Sequence, residues 1–232
     1  VKTTEHIHME TEFIYWRHHT LPGIKVEEIC GGENRPMSLW REMAYQVYSE
    51  NGREVYREIG HFRNGAPFLN GENGRISITH TGRFLAVATL PPTPEVDLSE
   101  FTERAAMGID AERTDREQVL KVREKFLSAA ELEMIPASDV LANVMAWTAK
   151  EALYKAAMSE GLDFAKDIAI RSLPKLGPAV PVYDKSEFDP IRTGEAVVCI
   201  DGREFHFVLY SYESEGNIVT LAYSPRCAKF GS

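Results

Sequence analysis

Cysteine is scarce: Cys30, Cys199 and Cys227 are scattered through the chain and form no CxxC pair. That excludes a disulfide framework, makes a zinc site unexpected and suits a reducing cytoplasm. Long apolar runs are missing too; none approaches the roughly eighteen residues of a transmembrane span, so no membrane helix is expected. The opening residues, "VKTTEHIHMETEF", are polar, lack the apolar stretch of a signal peptide and lack an initiator Met. Positive charge is in deficit, with 26 Lys and Arg against 35 Asp and Glu and a net charge of −9. Such a chain repels nucleic acid and anionic membranes at long range. An anionic ligand must therefore meet a local cluster of Lys or Arg.

What is present is ordinary for a globular protein: 232 residues, 44% hydrophobic and 26% charged. The patterning predicts a helix from about Ser38 to Ser49, stopped by the turn signal Asn51-Gly52. After the turn-dense stretch 62–74, "RISITH" alternates as a strand, "TGR" turns, and "FLAVATL" returns as a more buried strand. "PPTPEVD" (91–97) reads as a linker. "AAMGID" reads as a short strand, and 116–135 has the helical spacing Val119, Val122, Phe126, Leu127, ended by Pro136. A longer helix follows from about Ser138 to Glu160, and the tail supplies "GEAVVCI", "EFHFVLYSY" and "NIVTLAYS" as strands. Strand–turn–strand units on both sides of residue 100 suggest two related α/β halves, 1–98 and 99–232.

The long helix contains "WTAKEALYK" (147–155) and an awkward carboxylate. Val140, Val144, Trp147, Tyr154 and Met158 share one wedge with Glu151, while Met145, Ala149, Ala152, Leu153 and Ala156 make the opposite side apolar as well. A helix apolar nearly all round is buried. Thr148, Glu151, Lys155 and Ser159 draw a thin polar line along it, with Lys150 to one side. A solvated Glu151–Lys155 pair at i,i+4 would contribute only about 0.3–0.5 kcal/mol. The other reading is a cleft in which Glu151 meets a cation and the lysines meet an anion. Burial favours it, because a desolvated carboxylate without a strong partner is costly.

"MGIDAER" adds Asp110 and Glu112, whose i,i+2 spacing at a strand end sends both side chains to one side. An acidic strand end entering a loop is the simpler account. If both converge with Glu151, however, each pair of charges repels by about 4 kcal/mol at 4 Å and an effective dielectric of 20. Such a cluster either protonates in part or binds a divalent cation. Hard oxygen ligands without Cys or His select Mg²⁺, which also takes phosphate oxygens. Lys150 and Lys155 would suit those phosphates.

"GIDAER" followed by "WTAKEALYK" resembles the signature of the phosphopantetheinyl transferases, G-[IV]-D-x-E and then [FW]-[ST]-x-K-E-[AS]-x-x-K. "SITHT" (77–81) resembles the upstream Ser-His-Ser/Thr motif, and "FLSAAEL" (126–132) and "YSYESEGNIVTLAYS" resemble the family's intervening and closing segments. The likeness runs over about residues 60–225, and the length indicates the two-lobed, surfactin-activating type. It implies an α/β (α+β) fold of two similar subdomains related by a pseudo-twofold axis, with the active site in the cleft between them. It implies transfer of 4′-phosphopantetheine from coenzyme A to a serine of an apo acyl or peptidyl carrier protein, with release of 3′,5′-ADP. By the same resemblance Asp110, Glu112 and Glu151 become ligands of Mg²⁺ (or Mn²⁺), Lys150 and Lys155 contact the diphosphate, and His80 contacts a coenzyme A phosphate. Glu151, or a metal-bound water near it, becomes the candidate base for the serine hydroxyl. A cytoplasmic monomer is expected, with no nucleic-acid or membrane partner.

Two departures stand out. The family's Gly-[Lys/Arg]-Pro is here Gly65-Ala66-Pro67, without the cation, and Ala111 replaces a larger aliphatic residue between the two acids. By the resemblance a basic residue of the N-terminal half reaches the 3′-phosphate, with Arg35 and Arg41 as candidates and another residue open. A degenerate member that binds coenzyme A or a carrier without efficient transfer is the alternative. A metal-dependent phosphohydrolase on another fold would explain the carboxylates but not the match at 147–155.

Overall fold

The computed structural model describes residues 15–21, 24–30, 49–50, 53–54, 59–63, 65–69, 75–82, 84–90, 96–98, 101–176 and 193–228. The expected helix at Ser38–Ser49 and the candidates Arg35 and Arg41 fall outside them, apart from Ser49. The chain supplies β1 (Tyr15–Leu21), β2 (Ile24–Cys30), and two small ribbons, β3 (Ser49–Glu50) with β4 (Arg53–Glu54) and β5 (Ile59–His61) with β6 (Pro67–Leu69). Then come β7 (Arg75–Thr81), β8 (Phe84–Leu90), β9 (Val96–Leu98) and the long β10 (Phe101–Arg113). Three helices follow, α1 (Gln118–Phe126), α2 (Ala129–Met134) and α3 (Val140–Ala157). The remaining strands are β11 (Ile168–Ser172), β12 (Gly194–Ile200), β13 (Arg203–Ser214) and β14 (Asn217–Ala228).

The result is an α+β protein with a four-stranded sheet, β1-β2-β8-β7, and a six-stranded sheet, β11-β12-β13-β14-β10-β9. Every pairing described is antiparallel. β9 pairs with β10, so the second sheet begins just ahead of the expected boundary at residue 98. The expected strands at 75–80, 84–90, 194–200, 204–212 and 217–224 all form. "AAMGID" proves to be the middle of a thirteen-residue strand.

Strand periodicity makes β10 the wall between two cores. Ala105, Met107, Ile109 and Ala111 enter a cluster with Ile24, Val26, Phe84 and Ala86 of the first sheet. Ala106, on the alternate face, joins the cluster beneath α3. A buried carboxylate also ties the sheets together: Glu28 of β2 accepts from Tyr212 Oη at 2.5 Å and from Ser214 Oγ at 2.8 Å on β13.

The single helical stretch expected at 116–135 is two helices. Leu127 is extended, and Ser128 starts α2 with a capping box: its Oγ accepts from Glu131 N while the Glu131 carboxylate accepts from Ser128 N at 2.6 Å. α3 begins at the N-cap Asp139, which accepts from Ala142 N, and stops at Met158, whose φ of 53° is left-handed.

Candidate active site

The site forms where α3 crosses β10, and Gly108 permits the crossing. A Cβ at that position would lie 2.0 Å from Ala152 O and 2.6 Å from Ala156 N, so only glycine lets the helix backbone come so near. Asp110 and Glu112 follow on the same face of the strand. In this way Asp110 is brought under the last turn of α3.

β14 covers one edge of β10, and past β9 the other edge meets β7 through side chains. Ser77, Thr79 and Thr81, spaced by two, carry three hydroxyls along one face of β7. Ser77 Oγ accepts from Ile109 N at 3.1 Å and Thr79 Oγ1 from Ala111 N at 3.0 Å, which satisfies strand-edge donors that would otherwise be orphaned. Thr79 also donates to Asp110 Oδ1 at 3.0 Å, and Thr81 donates to Glu112 Oε1 at 3.3 Å. Lys155 closes the seam, with its ammonium donating to Asp110 Oδ1 at 2.7 Å, Ile109 O at 3.1 Å and Ile78 O at 3.5 Å.

Lys155 therefore pairs with Asp110 rather than with Glu151, four residues earlier on the helix. Glu112 pairs with Arg116 one turn on. Glu151 is half-buried and has no ion-pair partner among the described residues. Burial pushes its carboxyl above the ordinary value of 4.5, the Asp110 charge pushes it further, and Lys155 and Arg116 pull it back. Lys155 and Arg116 thus supply the positive charge beside these acids, each paired with one of them and both acting on Glu151. Among the described residues no three His, Cys, Asp or Glu side chains are gathered closely enough to hold a metal ion.

The expectation for Lys150 is corrected. Its side chain is 0% exposed, donates to Glu131 and to Phe164 O at 2.8 Å each, and also donates to Ile168 O. Glu131 in turn accepts from Ile170 N at 2.6 Å. Burial lowers the Lys150 pKa and Glu131 opposes that shift. A lysine with all three donors engaged inside the core cannot reach a diphosphate; it joins α2, α3 and β11.

Beside Lys155 opens a cavity of about 230 Å³. Its walls include Gly65, Ala66 and Pro67, residues Arg75 to Ile78 of β7, Met107, and Tyr154, Met158, Ser159 and Glu160 at the end of α3. Arg75 is half-buried there, with its guanidinium against the Met158 sulfur. The cavity thus has two cations and largely apolar walls although Ala66 carries no charge. His80 is exposed, does not line this cavity, and projects from the face of β7 opposite Thr79 and Thr81. The structure pairs Lys155 with Asp110 and Glu112 with Arg116, sets Glu151 where it feels the charges of Asp110, Lys155 and Arg116, and leaves Lys150 outside.

Sequence reasoning passed over Thr79, Thr81, Arg75 and Arg116. The i,i+2,i+4 run of hydroxyls in "SITHT" was the available signal for the first two; nothing local says which strand they touch.

A family model, the 4′-phosphopantetheinyl transferase superfamily, matches residues 106–205. The matched stretch contains Asp110, Glu112, Glu151 and Lys155, and ends within β13. No curated protein matches the chain.

Proposed function

We propose that this chain, whose residues 106–205 match the family model of the 4′-phosphopantetheinyl transferase superfamily, is an active transferase. It would move 4′-phosphopantetheine from coenzyme A to a serine of an apo acyl or peptidyl carrier protein and release 3′,5′-ADP. Enzymes of this superfamily carry out that transfer in general; the reading for this chain rests on one juxtaposition. Lys155 stands between the Asp110–Glu151 pair of acids and a cavity that also holds Arg75.

The acids fit a hard divalent cation by their chemistry: three carboxylates and no thiol or imidazole. Asp110, Glu112 and Glu151 would hold Mg²⁺ or Mn²⁺. When bound, such an ion offsets charge on the transferring phosphoryl group. The remaining roles belong to the chain itself. Lys155 offsets charge on the diphosphate from a preorganised position, held by two backbone carbonyls. Arg75 and the apolar walls beside it accept the nucleotide end; a phosphate contact for His80, as the resemblance implies, would lie outside this cavity. Glu151 is the candidate base, since burial raises its proton affinity towards the range in which a carboxylate accepts a serine proton.

The two-lobed, monomeric form with halves 1–98 and 99–232 belongs to the same proposal. The alternative, a non-transferring coenzyme A binder, draws on the missing cation at Ala66, and Arg75 in the same cavity weakens it. The test is mass spectrometry of several apo carriers incubated with the protein, coenzyme A and Mg²⁺ or Mn²⁺. One carrier should gain the mass of a single phosphopantetheine group only when metal is present. Unchanged masses across the panel, with folded protein, would overturn the proposal.

A further inference from the structure

We infer that Thr79 is a positioning residue for Asp110: a hydroxyl on the first sheet fixes the rotamer of an acidic ligand on the second. The inference rests on the reading that Asp110 is a metal ligand. Thr79 is 3% exposed, so water does not compete for its hydroxyl. A threonine hydroxyl has one proton. The Ala111 N–H donates to Oγ1 at 3.0 Å and occupies the acceptor side, so the proton goes to Asp110 Oδ1, also at 3.0 Å. The direction of that bond is set by the strand backbone. β-branching further restricts the side chain to few rotamers.

Both bonds that Asp110 accepts, from Thr79 and from Lys155, fall on Oδ1. Oδ2, which accepts none of the bonds described, would be the oxygen left to a cation. Partners that orient a metal ligand in this way commonly govern metal affinity or activity by about 10–100-fold.

Ser77 supplies an internal control, because its hydroxyl caps the Ile109 N–H in the same way and touches neither acid among the bonds described. A purely structural role would make Thr79 and Ser77 equivalent. The probe is Mn²⁺, titrated into the full-length protein and followed by loss of the free-ion paramagnetic resonance signal, with transfer kinetics measured alongside. Thr79→Val should weaken Mn²⁺ binding by about tenfold or more, while Thr79→Ser and Ser77→Ala keep the wild-type Mn²⁺ affinity. Thr79→Val should also raise the metal concentration needed for half-maximal transfer and leave the KM for coenzyme A unchanged. In an Asp110→Asn background, Thr79→Val should add no further loss. Thr79→Cys, of similar shape and a poor donor, replaces Thr79→Val if the latter does not fold.

Equal Mn²⁺ affinity for Thr79→Val and Ser77→Ala, a persistent Thr79→Val effect in Asp110→Asn, or a raised KM for coenzyme A would each overturn the inference. In all three cases wild type still binds metal and transfers, so the proposed function stands. A wild-type protein that neither binds Mn²⁺ nor transfers defeats both.

Discussion

Lys150 and Lys155 stand five residues apart on α3, about 140° around the helix, and each donates to three oxygens. Their surroundings differ in access and in the state of the acidic partner. Lys150 is sealed, and Glu131 is already held by the backbone N–H groups of Ser128 and Ile170. The Lys155 side chain is 30% exposed, its longest bond is 3.5 Å, and Asp110 lies near a second acid with no cation of its own. A saturated, buried ionic site fixes a fold. A partly open one, short of positive charge, can exchange its partners for a ligand. On the proposed function, two identical residues in one motif thereby fall on opposite sides of the line between structure and chemistry.

The largest effect that would sharpen this contrast is on stability. Lys150→Met strands a buried carboxylate and should cost about 3–5 kcal/mol in denaturant melts, with kcat per folded molecule kept. Wild-type stability with lost transfer would return Lys150 to the diphosphate. Gly108→Ala comes next: the new methyl meets the α3 backbone, and overpacking of this kind costs about 1–3 kcal/mol. Because the clash lies under the last turns of α3, transfer kinetics of the folded variant should fall while the Lys150–Glu131 site is preserved. Loss of both together would erase the distinction between the two regions.

Lys155→Ala should lower kcat/KM by at least about tenfold, some 1.4 kcal/mol, with a smaller loss of stability than Lys150→Met. Near wild-type kinetics would make both lysines structural.

The smallest effect concerns Glu151. Its folded-state pKa lies above the ordinary 4.5, so between those values the folded protein holds more protons than the unfolded chain. This group's contribution to stability therefore falls as pH rises through that window, and the full penalty applies above it. Glu151→Gln cannot ionise. It should be slightly more stable than wild type at neutral pH, and the two should converge as pH drops below about 4.5. A variant less stable at neutral pH would mean that Glu151 has a structural partner.

Much of this architecture was legible because periodicity reports burial directly. The alternation of "RISITH", the nearly continuous apolar run of "FLAVATL" and the apolar surface of α3 each state which faces are covered. What escaped depends on partners far along the chain. β10 is twice the length of its apolar segment because its polar ends pair with β9 and β14. Lys150 was read as a ligand contact because its acid, Glu131, lies nineteen residues earlier and doubles as a helix cap. The acidic pair and Lys155 were legible as candidates through residue type and spacing. Thr79 and Thr81 were not, since a hydroxyl in a strand carries no mark of what it will face.

The pairing of β10 with β14 has a consequence for how the site comes into being. Asp110 lies opposite Thr220, 110 residues further on, beyond the end of the family match at 205. On its other flank stands β7, which precedes the match. Residues 106–205 are thus a unit of likeness and not a unit of folding, for a fragment cut at those limits would leave both edges of the acidic strand bare. Contacts of such sequence separation form only after a long loop has closed, and they tend to appear late in folding. On a ribosome, the acids would be aligned only once β14 had emerged, so a growing chain would hold the residues of the site long before it held the site.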